Sequence, residues 1–166
     1  MDKIADDLMS LIQQVNPRSL LAVGEYACEV CNRLVSGPSS NSIQVHCLPH
    51  YAGLDDLEPA SMVDLALVAG VLESLPARAG AALIARLRDV QARRLILLIS
   101  PIHSDEQTLW RRQDLLALGL YHQFSYDGDG HVAAIYTYDI ANYKPTPDWL
   151  NPNNWAHPGR WDKERW

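Results

Sequence analysis

The sequence predicts an α/β fold: a three-layer sandwich whose central sheet is mostly parallel and ends in an antiparallel hairpin. Three stretches predict it. Val63–Ala69 is an apolar run broken only by Asp64, the pattern of a strand buried on both faces. After Gly70, Val71, Leu72 and Leu75 repeat at helical spacing, so a buried strand feeds a helix, half of a βαβ unit. Leu95–Ile99, LILLI, is a second buried run. Tyr121–Tyr126 and His131–Ile140 read as strands around Asp127-Gly128-Asp129-Gly130, a tight-turn signal.

The remaining elements follow in order. Residues 2–15 form an amphipathic helix, with Asp2 as its cap and Ile4, Leu8, Leu11, Ile12 and Val15 as its apolar stripe. Asp6 and Asp7 suit the helix dipole, and Asn16-Pro17 ends the helix. Ser19–Val23 is a compact strand stopped by Gly24, and a helix begins in the residues after it. Ser36–Ser42 is a loop by composition. Ile43–Leu48 alternates and reads as the next strand, followed by Pro49, His50 and Tyr51. Only about fifteen residues then separate it from Val63, too few for a crossover helix and a further strand. Residues 77–91 read as one helix, with Ala81, Leu83, Ile84, Leu87 and Val90 toward the core. Thr108–Leu118 is a helix that Gly119 ends.

The chain has 166 residues, enough for one domain with a real core. A net charge of −6 argues against a broad nucleic-acid footprint. No apolar run is long enough to span a bilayer, and Met1–Val15 lacks the basic start and apolar block of a secretory signal. Three cysteines, an odd number, do not suggest a disulfide framework. The expectation is a soluble cytoplasmic protein.

Two cysteine patterns carry chemistry of their own. Cys28-x-x-Cys31 follows a strand and opens a helix, the setting of a redox pair. Adding Cys47-x-x-His50 gives a spacing like that of a zinc ribbon, but neither ligand pair sits on a glycine knuckle. Small buried cysteines between helix and sheet are the plainer reading, and no metal is expected.

Residues 1–142 are expected to form the α/β domain and residues 143–166 an extension docked on it. The extension holds tryptophans at 149, 155, 161 and 166 and prolines at 145, 147, 152 and 158. Thr146-Pro147 and Asn151-Pro152 look like starts of short helical turns. Such indole density favours docking over an extended arm. Basic residues interleave with the tryptophans, yet Asp148, Asp162 and Glu164 cancel most of that charge, so nucleic acid is again disfavoured.

With these residues in place, the chain resembles the class I S-adenosylmethionine-dependent methyltransferases over roughly residues 19–140. Asp64 stands where an Asp opens the family's fourth strand, Leu72-Glu73 where a Leu-Glu pair enters the next helix, and the hairpin closes the sheet. The third strand of that fold is expected to be reduced or lost. The resemblance implies an S-adenosylmethionine site built from Gly24, Glu25, Tyr26, Asp55, Asp56, Ala69 and Gly70. Departures from the family pattern lie there too. Of its Gly-x-Gly-x-Gly turn only Gly24 remains, with Tyr26 and Cys28 at the other glycine positions. Pro49, His50 and Tyr51 stand where an acidic residue would bind ribose. His103, after the Leu95–Ile99 strand, lies at the ligand-binding edge of such sheets. No acid, base or nucleophile constellation names a reaction. Two readings follow: a degenerate member that has lost or altered cofactor binding and serves an unknown protein or small-molecule partner, or an active methyltransferase with an atypical site.

Overall fold

The computed structural model describes residues 2–36, 43–57, 62–100, 110–128, 131–142, 157–160 and 163. Its strands are β1 (Ser19–Val23), β2 (Gln44–Leu48), β3 (Val63–Ala69), β4 (Ala92–Ile99), β5 (Tyr121–Gly128) and β6 (His131–Asp139). Its helices are α1 (Asp2–Val15), α2 (Glu25–Val35), α3 (Ala77–Arg86) and α4 (Arg112–Ala117). The strands form one sheet in the order β2-β1-β3-β4-β6-β5. The first four are parallel, and β6 is antiparallel to both β4 and β5. The expected pairings of Ser19–Val23 with Val63–Ala69, and of the hairpin strands with each other, are therefore present.

The β3 and β4 runs are buried on both faces because helices cover each side. Leu65, Leu67, Ile96 and Leu98 pack with Leu8 and Ile12 of α1 and Val30 and Cys31 of α2. Ala66, Val68, Leu95 and Leu97 pack with Leu83 and Ile84 of α3 and Leu115 of α4. This alternation is the period of two that a strand imposes. Asn16, with φ of 48°, turns the chain out of α1 ahead of Pro17.

Asp64 has a structural task at the amino edge of the sheet. Its carboxylate accepts from the backbone amides of Arg18 at 2.9 Å and Ser19 at 3.3 Å, while the Ser19 hydroxyl accepts from the Asp64 amide at 3.0 Å. These bonds, with the Arg18 amide foremost, hold the Asp64 carboxyl below the usual carboxylate range. Glu73 does similar work at the other edge, accepting from the Ser100 amide at 2.7 Å.

Several bounds differ from the sequence expectation. Val71–Leu75 does not open the helix: Leu72–Ser74 is a single 3₁₀ turn, and α3 starts after Pro76. The helix expected through residue 91 ends at Arg86 and passes into a π turn, Leu87–Gln91. The wider turn shifts the register, so Val90, expected in the core, is 44% exposed while Gln91 is buried. The described helix before Gly119 runs only over Arg112–Ala117, and Trp110 ahead of it is buried. The described part of the β2–β3 connection holds a 3₁₀ turn, Leu54–Asp56, and no strand. Past β2 the described sheet has no further strand, as expected for a lost third strand. In the C-terminal extension, Pro158–Arg160 forms a 3₁₀ turn. The four tryptophans there, Thr146-Pro147 and Asn151-Pro152 lie outside the described residues.

Candidate functional site

The strand order reverses between β1 and β3: the chain steps outward to β2, then returns to the other side of β1. Open α/β sheets form a crevice outside the carboxyl ends of their strands at such a point. A cleft of ≈ 490 Å³ lies there. Glu25, Tyr26 and Glu29 of α2 form one wall, Pro49, His50 and Tyr51 after β2 a second, and Gly70, Val71 and Ser74 after β3 a third.

Gly24 sets the spacing between these walls. Its φ of 103° lies in the region that favours glycine. Its amide donates to the Leu48 carbonyl at 2.8 Å, tying the turn to the end of β2. On the other side, a Cβ on Gly24 would overlap the Ala69 carbonyl oxygen and lie 2.8 Å from Val71 Cγ2. The glycine is thus occupied by contact with its own chain. Gly70, with φ of 74°, has nothing within 4 Å of a Cβ position and borders open space.

Charge in the cleft is acidic. Glu25 and Glu29 project from the first two turns of α2, four residues apart on one helix face. His50 Nδ1 lies 3.6 Å from Glu25 Oε1, a pair mostly in solvent and worth little energetically. Burial, with the nearby Asp56 charge second, raises the Tyr51 hydroxyl above its ordinary value. The Ser74 hydroxyl donates to the Val71 carbonyl at 2.9 Å and so shapes the wall.

The structure gathers Gly24, Glu25, Tyr26, Ala69 and Gly70 at this edge. Ala69 is fully buried and meets the turn through its backbone. Asp55 and Asp56 lie outside the cleft lining. Asp56 instead accepts from the Ala52 amide at 2.6 Å and the Gly53 amide at 3.1 Å, closing its own turn. His50, which stands where the resemblance would put an acidic residue, is mostly in solvent and lines the cleft. Glu29, Val71 and Ser74 are additions; the four-residue step from Glu25 was the available signal for Glu29. His103 lies outside the described residues.

The cysteines sit behind the α2 wall. The Cys28 amide already donates to the Gly24 carbonyl at 3.0 Å, so the pair lies within the helix rather than at its open end. Burial, foremost, pushes both Cys28 and Cys31 up to about 12, and outweighs the Leu48 backbone amide that favours the Cys28 thiolate. Among the described residues no three His, Cys, Asp or Glu side chains gather to hold a metal ion.

The sequence resemblance implies an S-adenosylmethionine site at this cleft, with two more glycines after Gly24 and an acid after β2. At those positions the structure has Gly24 in contact with the Ala69 carbonyl, Tyr26 at the cleft, the buried Cys28, and Pro49, His50 and Tyr51 directly after β2. Among the described residues no helix is long and apolar enough to cross a membrane.

Solved structures share the fold. Magnesium protoporphyrin IX methyltransferase from Synechocystis PCC 6803, with bound SAH, superposes with a TM-score of 0.53 at 12% identity, covering 81% of each chain. The same enzyme with bound SAM gives 0.50 at 14% identity, covering 81% of this chain and 77% of that one. The fold is thus class I methyltransferase-like, a six-stranded sheet with an antiparallel β4-β6-β5 part. No curated protein matches the chain. One family model matches residues 2–166, that of a family of unknown function (DUF6231).

Proposed function

We propose, for a chain that belongs to the family of unknown function DUF6231, a methyltransferase-fold binding protein with lost or altered S-adenosylmethionine recognition. The observation that carries this reading is the β1–α2 turn. Gly24 is filled by its own neighbour Ala69, and Glu25 and Tyr26 occupy the first turn of α2 at the cleft. A cofactor that needs close backbone approach finds side chains there instead. The cleft itself persists, and its tyrosines, carboxylates and imidazole suit a small molecule or an inserted side chain of a protein partner.

The persistence of the cleft at the switch point also favours a second reading, an active methyltransferase with an atypical site. Calorimetry and thermal shift with S-adenosylmethionine and S-adenosylhomocysteine separate the two. The expected result is no binding at micromolar cofactor. A clear shift that Gly70→Trp abolishes would revive the enzyme, because that substitution fills open space at the cleft while sparing the Gly24 contact.

A further inference from the structure

All three cysteines of the chain converge on one face of the sheet. The Cys28 thiol lies 3.8 Å from the Ala22 carbonyl oxygen. Ala22 pairs in register with Cys47 on the neighbouring parallel strand. Ala22 packs in the cluster that holds α1 and α2, and Val45 packs against that same cluster. Cys47, two residues beyond Val45, shares its face. Cys47 and the Cys28 thiol therefore both border Ala22. Cys47 is exposed, Cys28 is 7% exposed and Cys31 is fully buried, a gradient from solvent into the core.

We propose that Cys28 and Cys47 form a disulfide on exposure to a low-molecular-weight disulfide such as oxidised glutathione. The pair is not the adjacent Cys28-x-x-Cys31. Cys47 reacts first because solvent reaches it: its thiolate attacks one sulfur of glutathione disulfide, that S–S bond breaks, and one glutathione leaves. Cys47 then carries a mixed disulfide. Cys28 gives up its proton to solvent, attacks the Cys47 sulfur and expels the second glutathione. Two protein thiols are oxidised to one disulfide, and one glutathione disulfide is reduced to two thiols.

Cys28 is a poor nucleophile at neutral pH because burial raises its pKa, with the neighbouring Cys47 thiol adding to the effect. Proximity compensates, since the second step is intramolecular. The link would fix the walls of the cleft. Glu25 and Tyr26 lie within one helical turn before Cys28, and Pro49, His50 and Tyr51 follow shortly after Cys47. The device is independent of what the cleft binds.

The test uses the reduced, full-length protein incubated with oxidised glutathione, then alkylated and mapped by peptide mass. The expected product is a Cys28–Cys47 cross-link in the wild type and in Cys31→Ser. Cys28→Ser should stall at glutathione on Cys47. A Cys28–Cys31 link, a wild type that stalls at the mixed disulfide, or thiols that remain free would each overturn the proposal.

Discussion

Replacing Gly24 with alanine tests the geometry that defines the cleft. The backbone there has φ of 103°, which costs an L-residue about 1–2 kcal/mol. The added Cβ also overlaps the Ala69 carbonyl oxygen and crowds Val71 Cγ2. Carbonyl oxygens of a buried strand cannot swing aside, and overpacking of this kind costs about 1–3 kcal/mol. Reduced freedom of the unfolded chain returns about 0.4–1 kcal/mol. The net loss is about 1–5 kcal/mol, a sizeable share of a domain's usual 5–15 or so. Gly70→Ala is the matched control. It carries a similar strain, with φ of 74°, but meets nothing within 4 Å, so it should lose only about 1 kcal/mol. Urea denaturation of both variants at neutral pH measures the gap. Equal losses would refute the close approach of the β1–α2 turn to β3, and with it the explanation of why this glycine remains.

Gly80→Ala should destabilise by about 1–2 kcal/mol, despite better helix propensity. Its Cβ would lie 2.5 Å from Trp110 Cζ2, and that ring is buried with its indole N–H donating to the Leu72 carbonyl at 3.4 Å; a raised thermal midpoint would contradict this packing. Asp64→Ala should cost about 1–2 kcal/mol at pH 7 by removing the acceptor for two strand amides. The lowered Asp64 pKa also sets a pH dependence with a definite sign. The unfolded carboxyl, near 3.9 or so, binds protons first as acid is added, so this contribution is full above about pH 5 and fades as pH falls through the folded value. Denaturation midpoints between pH 2 and 6 should therefore fall less steeply in Asp64→Asn than in the wild type, and parallel curves would count against the clamp. Deleting residues 145–166 should lower the melting temperature by about 10 °C if its indoles dock, since a buried Trp is worth about 3–5 kcal/mol; an unchanged midpoint would mean that the extension is not structural.

The parts of the fold that burial dictates were legible in the sequence. Val63–Ala69 and LILLI have no face left for water, which only a strand covered on both sides explains. The hairpin announced itself through its turn residues. Where one residue more or less decides orientation, periodicity misled. The π turn at Leu87–Gln91 exchanged Val90 and Gln91 between surface and core, because a single wider turn leaves no compositional trace. Val71–Leu75 had helical spacing yet formed only a 3₁₀ turn, with Pro76 setting the start of α3. At the site, sequence identified Gly24 and Gly70 but could not tell their environments apart. One glycine is jammed against a carbonyl and the other is open, a difference that depends on strands far apart in the chain. Asp56 was named for the cofactor site that the resemblance implies, whereas in the structure it accepts from the Ala52 and Gly53 amides and closes its own turn.

The clamp between Asp64 and the Arg18 amide joins residues 46 positions apart. It bears on the order in which the protein assembles as it is synthesised. β1 leaves the ribosome well before β3, and until then its only described strand partner is β2, an edge strand with exposed residues. Leu20 and Ala22 need β3 and α2 together to be hidden. The nascent chain therefore passes through an interval with an apolar strand unshielded, a state that attracts chaperones and invites wrong pairing. The β5–β6 hairpin has no such wait, since its strands are nearly contiguous in sequence. Arrested nascent chains ending shortly before and shortly after β3 emerges should differ sharply in protease sensitivity at residues 19–23; equal sensitivity would place the ordering of β1 elsewhere.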